Sequence, residues 1–314
     1  MSLPKPSHYH LIVEHLSPTE PETCRSPVIQ QLAKLLGKTA GTHLVAANPR
    51  AEIAELMGNV FPIPWANIWL RNAGIKPRSD ETCFVIEPVQ MVASMNNIAM
   101  RPLPVALTEA QLEDLISVLQ PVLASDSADI ENINGQCLLR IRRALKVNTT
   151  PLDEARNRDL RDCLPSGDDS GWVRRTMTEC QMVLHELSSH PALAGTGVNG
   201  VWLWGNTQGA SSGLLTQTQS HNRLVQLRTF DPWLAALMHH SNTHDNPDPL
   251  GIWHGTTQTS GLAEILTKKV TELWNGKLSH LAISLWQDSE PGRIWHLKRH
   301  HLLRFWSRPV KIDG

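Results

Sequence analysis

Apolar residues recur three and four positions apart in several stretches of the chain, a spacing that places side chains on one face of a helix. The clearest stretch is 173–187: Asp168, Asp169 and Ser170 are candidate caps before it, and Pro191 ends it. Thr108 and Gln111 form a capping-box pattern before another amphipathic stretch, and Asp231-Pro232 is typical of a helix start. The same reasoning predicts helices over 28–36, 51–57, 112–119, 233–240 and 262–274.

Short apolar runs between these helices predict β-strands. The run Val201–Trp204 is unbroken, which favours burial on both faces, as in a central strand of a parallel sheet. Glu290-Pro291-Gly292 separates two further runs and predicts a hairpin. The predicted strands are 10–13, 43–47, 83–86, 137–141, 201–204, 224–227, 281–286 and 294–297.

This mixture of elements predicts an α/β fold, with a mixed, largely parallel sheet flanked by helices. A chain of 314 residues can form a single domain, 1–314, or two lobes, 1–147 and 165–314. The polar segment 148–164, with its prolines, would then join the lobes, although a surface excursion within one domain fits it equally well.

A glycine-spaced segment follows the Trp202-Leu203-Trp204 run, and it is the first candidate ligand site. Ligands of open α/β sheets bind beyond the carboxyl ends of parallel strands, and glycines there let backbone N–H groups approach an anion. The G-x-x-x-G-x-x-x-G spacing is neither a dinucleotide fingerprint nor a P-loop, so an ordinary connecting loop is the alternative. The candidate ligand-binding residues are Glu179, Gln181, His185, His190, Asn199, Gly205, Asn206 and Gly209.

Composition excludes several classes of protein. The formal charge is −1 and the pI is near 6.9, which argues against a nucleic-acid or anionic-membrane partner. No apolar run approaches the roughly 18–20 residues that span a bilayer. The five cysteines are widely spaced without a C-x-x-C pair, so we expect reduced thiols, no disulfide framework and a cytoplasmic location. Most of the eleven tryptophans are expected to serve core packing.

Histidines and acids concentrate in one later segment of the chain. His239, His240, His244 and Asp245 are weak candidates for metal ligands, together with Asp248 and His254 further on. A polar, proline-containing loop collects such residues anyway, so no metal and no other cofactor is expected. No G-x-S-x-G motif is present, and His185 and His190 are five apart, one more than the metalloprotease motif allows.

The central block of the chain resembles a known bacterial family. It contains Glu179-Cys180-Gln181-Met182-Val183-Leu184-His185, then His190-Pro191, then Val198–Gly205. This series is similar to the E-x-Q-M-x-L-H, H-P and V-N-x-x-W-L-W-G series of the regulatory proteins of RpfE type. Weaker similarity extends from Glu87-Pro88-Val89 to Arg304-Phe305-Trp306, although Gln90 replaces a histidine of that family.

The same H-P, V-N and L-W-G block also looks like a fragment of the archaeal-type cofactor-independent phosphoglycerate mutases. That resemblance implies a reduced alkaline-phosphatase-like fold. Such mutases need two metals and a serine nucleophile near an N-terminal D-G motif, and this sequence has neither that motif nor the D-H-G-type ligand segment.

Two functions follow as hypotheses. The first is a non-catalytic regulatory or ligand-sensing protein that binds a small phosphorylated or anionic ligand; its protein partners are unspecified. The alternative is a metal-dependent phosphotransferase or hydrolase of phosphoglycerate-mutase-like type, which alone would require a divalent metal. A third possibility, an interaction scaffold with exposed tryptophans as anchors, would require an exposed tryptophan-rich patch.

Overall fold

The protein forms two compact units. The computed structural model describes residues 8–14, 27–39, 42–44, 49–56, 63–93, 98–103, 105–123, 127–155, 158–186, 193, 195–206, 225–229, 231–240, 250–256, 261–287 and 290–304. Unit 1 combines Met1–Val60 with Gln217–Gly314, and unit 2 is Phe61–Thr216. Unit 2 is therefore inserted into the chain between the two segments of unit 1.

The described elements alternate between strands and helices. The strands are β1 (His8–Glu14), β2 (Thr42–Leu44), β3 (Thr82–Ala93), β4 (Ile98–Pro102), β5 (Ala128–Ile133), β6 (Gln136–Ile141), β7 (Gly200–Trp204), β8 (Val225–Arg228), β9 (Leu250–Thr256), β10 (His280–Gln287) and β11 (Glu290–Leu297). The helices are α1 (Pro27–Leu36), α2 (Pro49–Leu56), α3 (Trp65–Asn72), α4 (Glu109–Leu123), α5 (Leu152–Ala155), α6 (Leu160–Cys163), α7 (Ser170–Glu186), α8 (Pro232–His240) and α9 (Leu262–Trp274), followed by a 3-10 helix (Arg299–Leu303). The predicted α/β class is confirmed.

Unit 1 contains a mixed six-stranded sheet in the order β2-β11-β10-β1-β9-β8. Four adjacent strands, β10, β1, β9 and β8, run parallel, whereas β11 and β2 pair in antiparallel fashion. The predicted hairpin is the β10–β11 pair. Parallel pairing, which the sequence led us to expect in most of the sheet, is confined to these four strands among the described residues.

One face of this sheet carries the apolar core of unit 1. Strand β1 places Tyr9, Leu11 and Val13 on that face, where the buried residues of α1 and α9 pack against them. Leu281, Ile283 and Leu285 of β10 join the same cluster. The alternate residues of these strands therefore point to the opposite face, which α2 contacts through Glu52.

Unit 2 contains an antiparallel sheet in the order β4-β3-β6-β5, and β7 also pairs antiparallel with β3. Helix α7 packs against β7 and α4. The predicted capping box of α4 is confirmed, since the Thr108 N–H donates to Gln111 Oε1 over 2.9 Å and the Gln111 N–H to Thr108 Oγ1 over 3.3 Å. The segment 148–164 lies within unit 2 and contains the short helices α5 and α6.

The prediction of a central parallel strand at 201–204 is wrong. Strand β7 is fully buried, as predicted, but it pairs antiparallel to β3, with Val85 opposite Trp204 and Val89 opposite Gly200. An unbroken apolar run reports burial on both faces, not strand direction. Here β3 and neighbouring elements of unit 2, α7 among them, pack around a strand with one described strand partner.

None of the helices in the described part of the chain is both long and apolar enough to cross a bilayer.

Candidate functional site

The second face of the unit 1 sheet carries several polar side chains among buried apolar residues such as Ile12, in contrast to the apolar core face. His8 and His10 alternate with core residues on β1, and the parallel register places them opposite His280 and Ala282 of β10. Ser284 and Trp286 continue the same side of β10. Alternation within two adjacent parallel strands thus collects histidine, hydroxyl and indole groups on one surface.

Glu52 of α2 connects these groups into a buried cluster, which we call the Glu52 hub: Glu52, His10, Ser284 and Trp286. Oε1 of Glu52 lies 2.6 Å from Ser284 Oγ and 3.3 Å from His10 Nε2. Oε2 accepts from the Trp286 indole N–H over 2.8 Å, and His10 Nε2 is 2.8 Å from Ser284 Oγ. Glu52 is 4% exposed and Ser284 0%, so the hub is closed to solvent.

The protonation state of Glu52 sets the direction of every bond in the hub. Burial alone would raise the pKa of Glu52, but the hydrogen bond and charge of His10, with the bonds from Ser284 and Trp286, outweigh it and hold the pKa below its usual value. The carboxylate is therefore ionised at neutral pH and can only accept. Ser284 consequently donates its proton to Glu52, and His10 Nε2 must donate to Ser284 Oγ.

This direction excludes a nucleophilic role for Ser284 in the described state. A catalytic serine gives its proton to an imidazole, and the acid contacts the far nitrogen of that imidazole. Here the acid contacts the serine directly, and the same histidine nitrogen faces both groups. The hub is a buried, hydrogen-bonded junction between α2, β1 and β10.

A second polar group lies at the carboxyl end of the parallel strands, and we call it the edge group: Thr229, Asp231, His254 and Arg50. Thr229 Oγ1, just after β8, is 2.8 Å from His254 Nδ1 on β9 and accepts the Asp231 N–H over 3.0 Å. Asp231 Oδ2 pairs with Arg50 Nε over 2.5 Å. These contacts join β8, β9, α2 and the start of α8.

Asp231 also confirms the predicted start of α8. Its Oδ1 accepts the backbone N–H groups of Trp233 and Leu234 over 2.8 and 3.3 Å. One carboxylate therefore caps α8 through one oxygen and holds Arg50 through the other. Asp231 consequently ties the edge group to α8 through its cap and to α2 through Arg50.

Three further histidines, His8, His280 and His296, form a partly exposed row at the amino end of β10. His280 Nε2 lies 3.0 Å from His296 Nδ1, with ring centroids 5.0 Å apart. The ring of His8 meets that of His280 edge-on, with centroids 5.9 Å apart. Among the described residues, no group of three or more His, Cys, Asp or Glu side chains could hold a metal ion.

In unit 2, the polar candidates beside β7 bind the protein's own backbone. Asn199 Oδ1 accepts the Met91 N–H over 2.6 Å and its Nδ2 donates to the Met91 carbonyl over 2.9 Å, so its amide extends the β3–β7 ladder. Asn206 Nδ2 donates to the Val147 carbonyl over 2.9 Å, and its Oδ1 accepts from Thr149 over 2.7 Å. Both side chains have a structural use in the folded state.

Gly205 sits against α3. Its φ is +75°, and a Cβ there would lie 3.1 Å from Trp65 Cβ and 3.2 Å from Val85 Cγ2. Its carbonyl accepts the Ala66 N–H over 3.0 Å. The residue is glycine because both the backbone conformation and the close approach of α3 require it.

The remaining predicted ligand residues are not brought together by described contacts. On α7, Glu179 pairs with Arg175 over 3.6 Å, Gln181 is half-buried and His185 is exposed. His190 and Gly209 lie outside the described residues. Because β7 is antiparallel, the rule about carboxyl ends of parallel strands does not apply to the segment that follows it. Ligand binding by these residues stays a prediction.

Replacing Asn199 with aspartate is expected to lower the free energy of unfolding by about 1–3 kcal/mol. The new carboxylate would face the Met91 carbonyl, which now receives an N–H. Urea unfolding measures the change, and Asn148→Asp, at an exposed position, is the matched control. Equal, small losses in both variants would contradict the structural role of the Asn199 amide.

The weak metal candidates cannot be assembled from the described residues. His239 and His240 lie in α8, but their side chains are outside the description, as are His244 and Asp245 altogether. The described cysteines are buried free thiols. Burial raises the pKa of Cys83, Cys137 and Cys180 to about 12, so none of these three is an activated nucleophile.

Sequence reasoning missed most of the polar face of unit 1. Glu52, Ser284, Arg50 and Thr229 gave no local signal, because each is a common residue in an ordinary helix, strand or turn. The alternation His8-Tyr9-His10-Leu11 was the available clue, since it places two histidines on one face of a strand. His254, a weak candidate metal ligand by its sequence, lies in the edge group.

Comparisons with known proteins identify no family. No protein-family model and no curated protein match the sequence. Among solved structures, the chain is similar to the cofactor-independent phosphoglycerate mutase from Thermoplasma acidophilum DSM 1728, with 10% identity and a TM-score of 0.41 over 97% of this chain and 93% of that one. It is also similar to the PH0037 protein from Pyrococcus horikoshii, with 8% identity and a TM-score of 0.40 over 93% and 88%. Similarities this distant establish no activity for the chain, and the RpfE-type resemblance is not confirmed.

Proposed function

We propose that the protein is a cytoplasmic, non-catalytic ligand sensor with a regulatory role, and that it binds a small phosphorylated or anionic ligand at the edge group of unit 1. The observation that carries this proposal is the convergence of Arg50, Thr229, Asp231 and His254 at the carboxyl end of the parallel strands. Ligands of open α/β sheets bind at that end. The regulatory part rests on the resemblance to the RpfE-type proteins.

The chemistry of the edge group favours an anion. Arg50 and His254 can both donate hydrogen bonds, and a guanidinium is suited to phosphate and carboxylate oxygens. Asp231 already holds the Arg50 side chain in place through the ion pair. Ligand binding would therefore cost little conformational entropy at Arg50.

Thermal shift and calorimetry with a panel of phosphorylated metabolites test this proposal. A ligand at about 100 times its Kd should stabilise the protein by about 2.7 kcal/mol, which is a shift of a few degrees in Tm. We expect His254→Asn, which preserves the bond to Thr229 but removes Nε2, to weaken the ligand response several-fold. His185→Asn, at an exposed position, should leave it unchanged.

The absence of stabilisation by every phosphorylated or carboxylated compound would contradict the proposal. An equal response in wild type and His254→Asn would place the ligand elsewhere. The candidates of unit 2, Glu179, Gln181, Asn199 and Asn206, are then the next positions to substitute, since they remain the sequence-based proposal for a ligand face.

A second function, a phosphotransferase or phosphoester hydrolase, is favoured by the Thr229–His254 pair. Because the Asp231 N–H donates to Thr229 Oγ1, the hydroxyl proton is free to point at His254 Nδ1. In attack, Oγ1 would bond to phosphorus, the proton would pass to His254, and the ester P–O bond would break to release an alkoxide that takes a proton from water. The resulting hydroxide would then attack the phosphothreonine, breaking the Oγ1–P bond to release phosphate, and His254 would return its proton to Thr229 Oγ1. A divalent metal in this alternative would need ligands that include residues outside the described part of the chain.

Turnover of p-nitrophenyl phosphate with Mn²⁺ or Zn²⁺ separates the two functions. Activity that persists in Thr229→Ser and disappears in Thr229→Val would establish the enzyme and overturn the sensor. Ligand binding without turnover in the presence of either metal supports the sensor. Metal content of the purified protein gives an independent readout.

A further inference from the structure

The His280–His296 contact depends on the protonation state of both rings. Their facing nitrogens are 3.0 Å apart, so one must donate and the other must accept. The bond exists when at least one imidazole is neutral. If both rings were protonated, two N–H groups and two positive charges would face each other at that distance, and the contact would become repulsive.

The surroundings of His280 disfavour its protonation. Burial lowers the pKa of His280 to about 4, and the charges of His296, His8, Lys298 and His10 act in the same direction. His8 and His10 face it from β1, His296 from β11, and Lys298 from the residue after β11. All four of these groups are bases, so their charges disfavour a proton on His280.

Glu52, the acid of the neighbouring hub, is engaged by other groups. Glu52 contacts His10 Nε2 at 3.3 Å and completes its bonding with Ser284 and Trp286. His8 Nε2 also lies 3.5 Å from Ser279 Oγ, a long distance for a hydrogen bond. The bond between His280 and His296 therefore depends on one neutral ring that accepts.

The row lies at the carboxyl end of β11. His296 is opposite Ala282 in the β10–β11 ladder, and Leu297 is opposite Leu281. The 3-10 helix that follows packs Leu302 against the apolar core of unit 1. Weakening the row would consequently loosen the end of β11 and the cover of the core beneath the 3-10 helix.

We propose that His8, His280 and His296 form an acid-sensitive latch that keeps the end of β11 and the following 3-10 helix closed at neutral pH and releases them on acidification. The device goes beyond the proposed ligand function, because it responds to protons at the opposite end of the strands from the edge group. No ligand is needed for it to act.

The lowered pKa of His280 decides whether acid stabilises or destabilises the closed state. The neutral form of His280 is favoured in the closed state, so the open state binds more protons. Stability of the closed state is complete above a pH of about 6.5 and is lost as the pH falls from there toward about 4. The Glu52 hub responds only below about 4.5, since its pKa is lowered from that value.

Hydrogen exchange followed by mass spectrometry at about pH 7.5 and about pH 5.5, corrected for intrinsic exchange rates, tests the latch. Between these conditions, we expect the opening equilibrium of peptides from β10, β11 and the 3-10 helix to rise roughly three- to tenfold, the lower value allowing for partial exposure of His280. Peptides from β3 and β6 of unit 2 should show no comparable change. At pH 5.5 Glu52 remains ionised, so a change in exchange at this pH reports the histidine latch and not the Glu52 hub.

Two conservative substitutions preserve the contact without the titration. His280→Gln places an amide near Nε2, and His296→Asn places one near Nδ1. We expect His280→Gln to keep neutral-pH protection and to lose most of the acid-induced opening, with the double variant losing all of it. His185→Gln, an exposed histidine of unit 2, should behave as wild type.

Either of two results would overturn the latch: wild-type β10 and β11 peptides whose corrected exchange is unchanged on acidification, or a double variant that opens as much as wild type. If His280→Gln already exchanges fast at neutral pH, the His296→Asn single variant decides by the same comparison. These readouts are independent of ligand binding at His254, so failure of the latch and failure of the sensor are distinguishable.

Discussion

Replacing Glu52 with glutamine is expected to lower the free energy of unfolding by roughly 3–5 kcal/mol, the range found when one partner of a buried charged contact is removed. The carboxylate accepts from Ser284, Trp286 and His10, and it is 4% exposed. A glutamine amide would direct N–H groups at one of these donors. Either Trp286, or Ser284 together with His10, would then remain buried without its acceptor, depending on which oxygen position the amide nitrogen takes.

Urea unfolding measures this loss, and hydrogen exchange of β1 and β10 assigns it to unit 1. Glu264→Gln, on the exposed side of α9, is the matched control and should change stability by less than about 0.5 kcal/mol. A double-mutant cycle with Ser284→Ala should show strong coupling, because the two side chains share one short bond. Additive losses would contradict the hub.

Glu52 also makes the stability of unit 1 depend on pH below the range of the histidine latch. Its folded pKa is lowered from 4.5, so the unfolded chain binds the proton more readily. The contribution of Glu52 is present above about pH 4.5 and is lost as the pH falls through the folded value. Glu52→Gln should flatten that acid limb relative to wild type, and an unchanged limb would contradict the assigned direction.

Replacing Trp202 with alanine is expected to lower the free energy of unfolding by about 3–5 kcal/mol. Trp202 is 0% exposed on β7, and its indole N–H donates to the Thr150 carbonyl over 2.8 Å. The substitution removes a large apolar group from a strand enclosed by β3 and α7, and it leaves that carbonyl without its donor. Both effects act on unit 2.

Trp202→Phe separates the two contributions, since it retains most of the packing and loses only the hydrogen bond, for an expected loss of about 1–3 kcal/mol. Trp274→Ala is the control, because Trp274 is 45% exposed at the end of α9. Urea unfolding with hydrogen exchange of β3 amides gives the readout. A similar loss in Trp202→Ala and Trp274→Ala would show that burial of β7 does not carry the stability of unit 2.

Local patterns were sufficient where neighbouring residues decide the structure. The sequence was enough to predict the α4 capping box, the Asp231 cap of α8 and the amphipathic helix α7. The interactions in these features join residues a few positions apart. Strand β9 was not predicted, because its glycines interrupt the apolar pattern of Leu250–Thr256. Strand β7 was recognised, but its antiparallel pairing with β3 depends on which distant strand is available.

The candidate sites required contacts that no local pattern encodes. His10 and Ser284 are 274 residues apart, and Glu52 comes from a helix between them in sequence. Thr229 meets His254 because β8 and β9 run parallel, so that residues near the same ends of both strands become neighbours. The rule that ligands bind at carboxyl ends was useful, but it applies to unit 1 once the strand directions are known.

The sequence by itself determined that the chain is α/β, where most helices and strands lie, and that the Trp202–Trp204 strand is buried. Periodicity and caps carry that information because they act within a few residues. Only the tertiary structure decided which strands are parallel, that Asn199 binds the Met91 backbone, and that Glu52 sets the proton order around Ser284. Those outcomes depend on burial and on partners brought together from both ends of the chain.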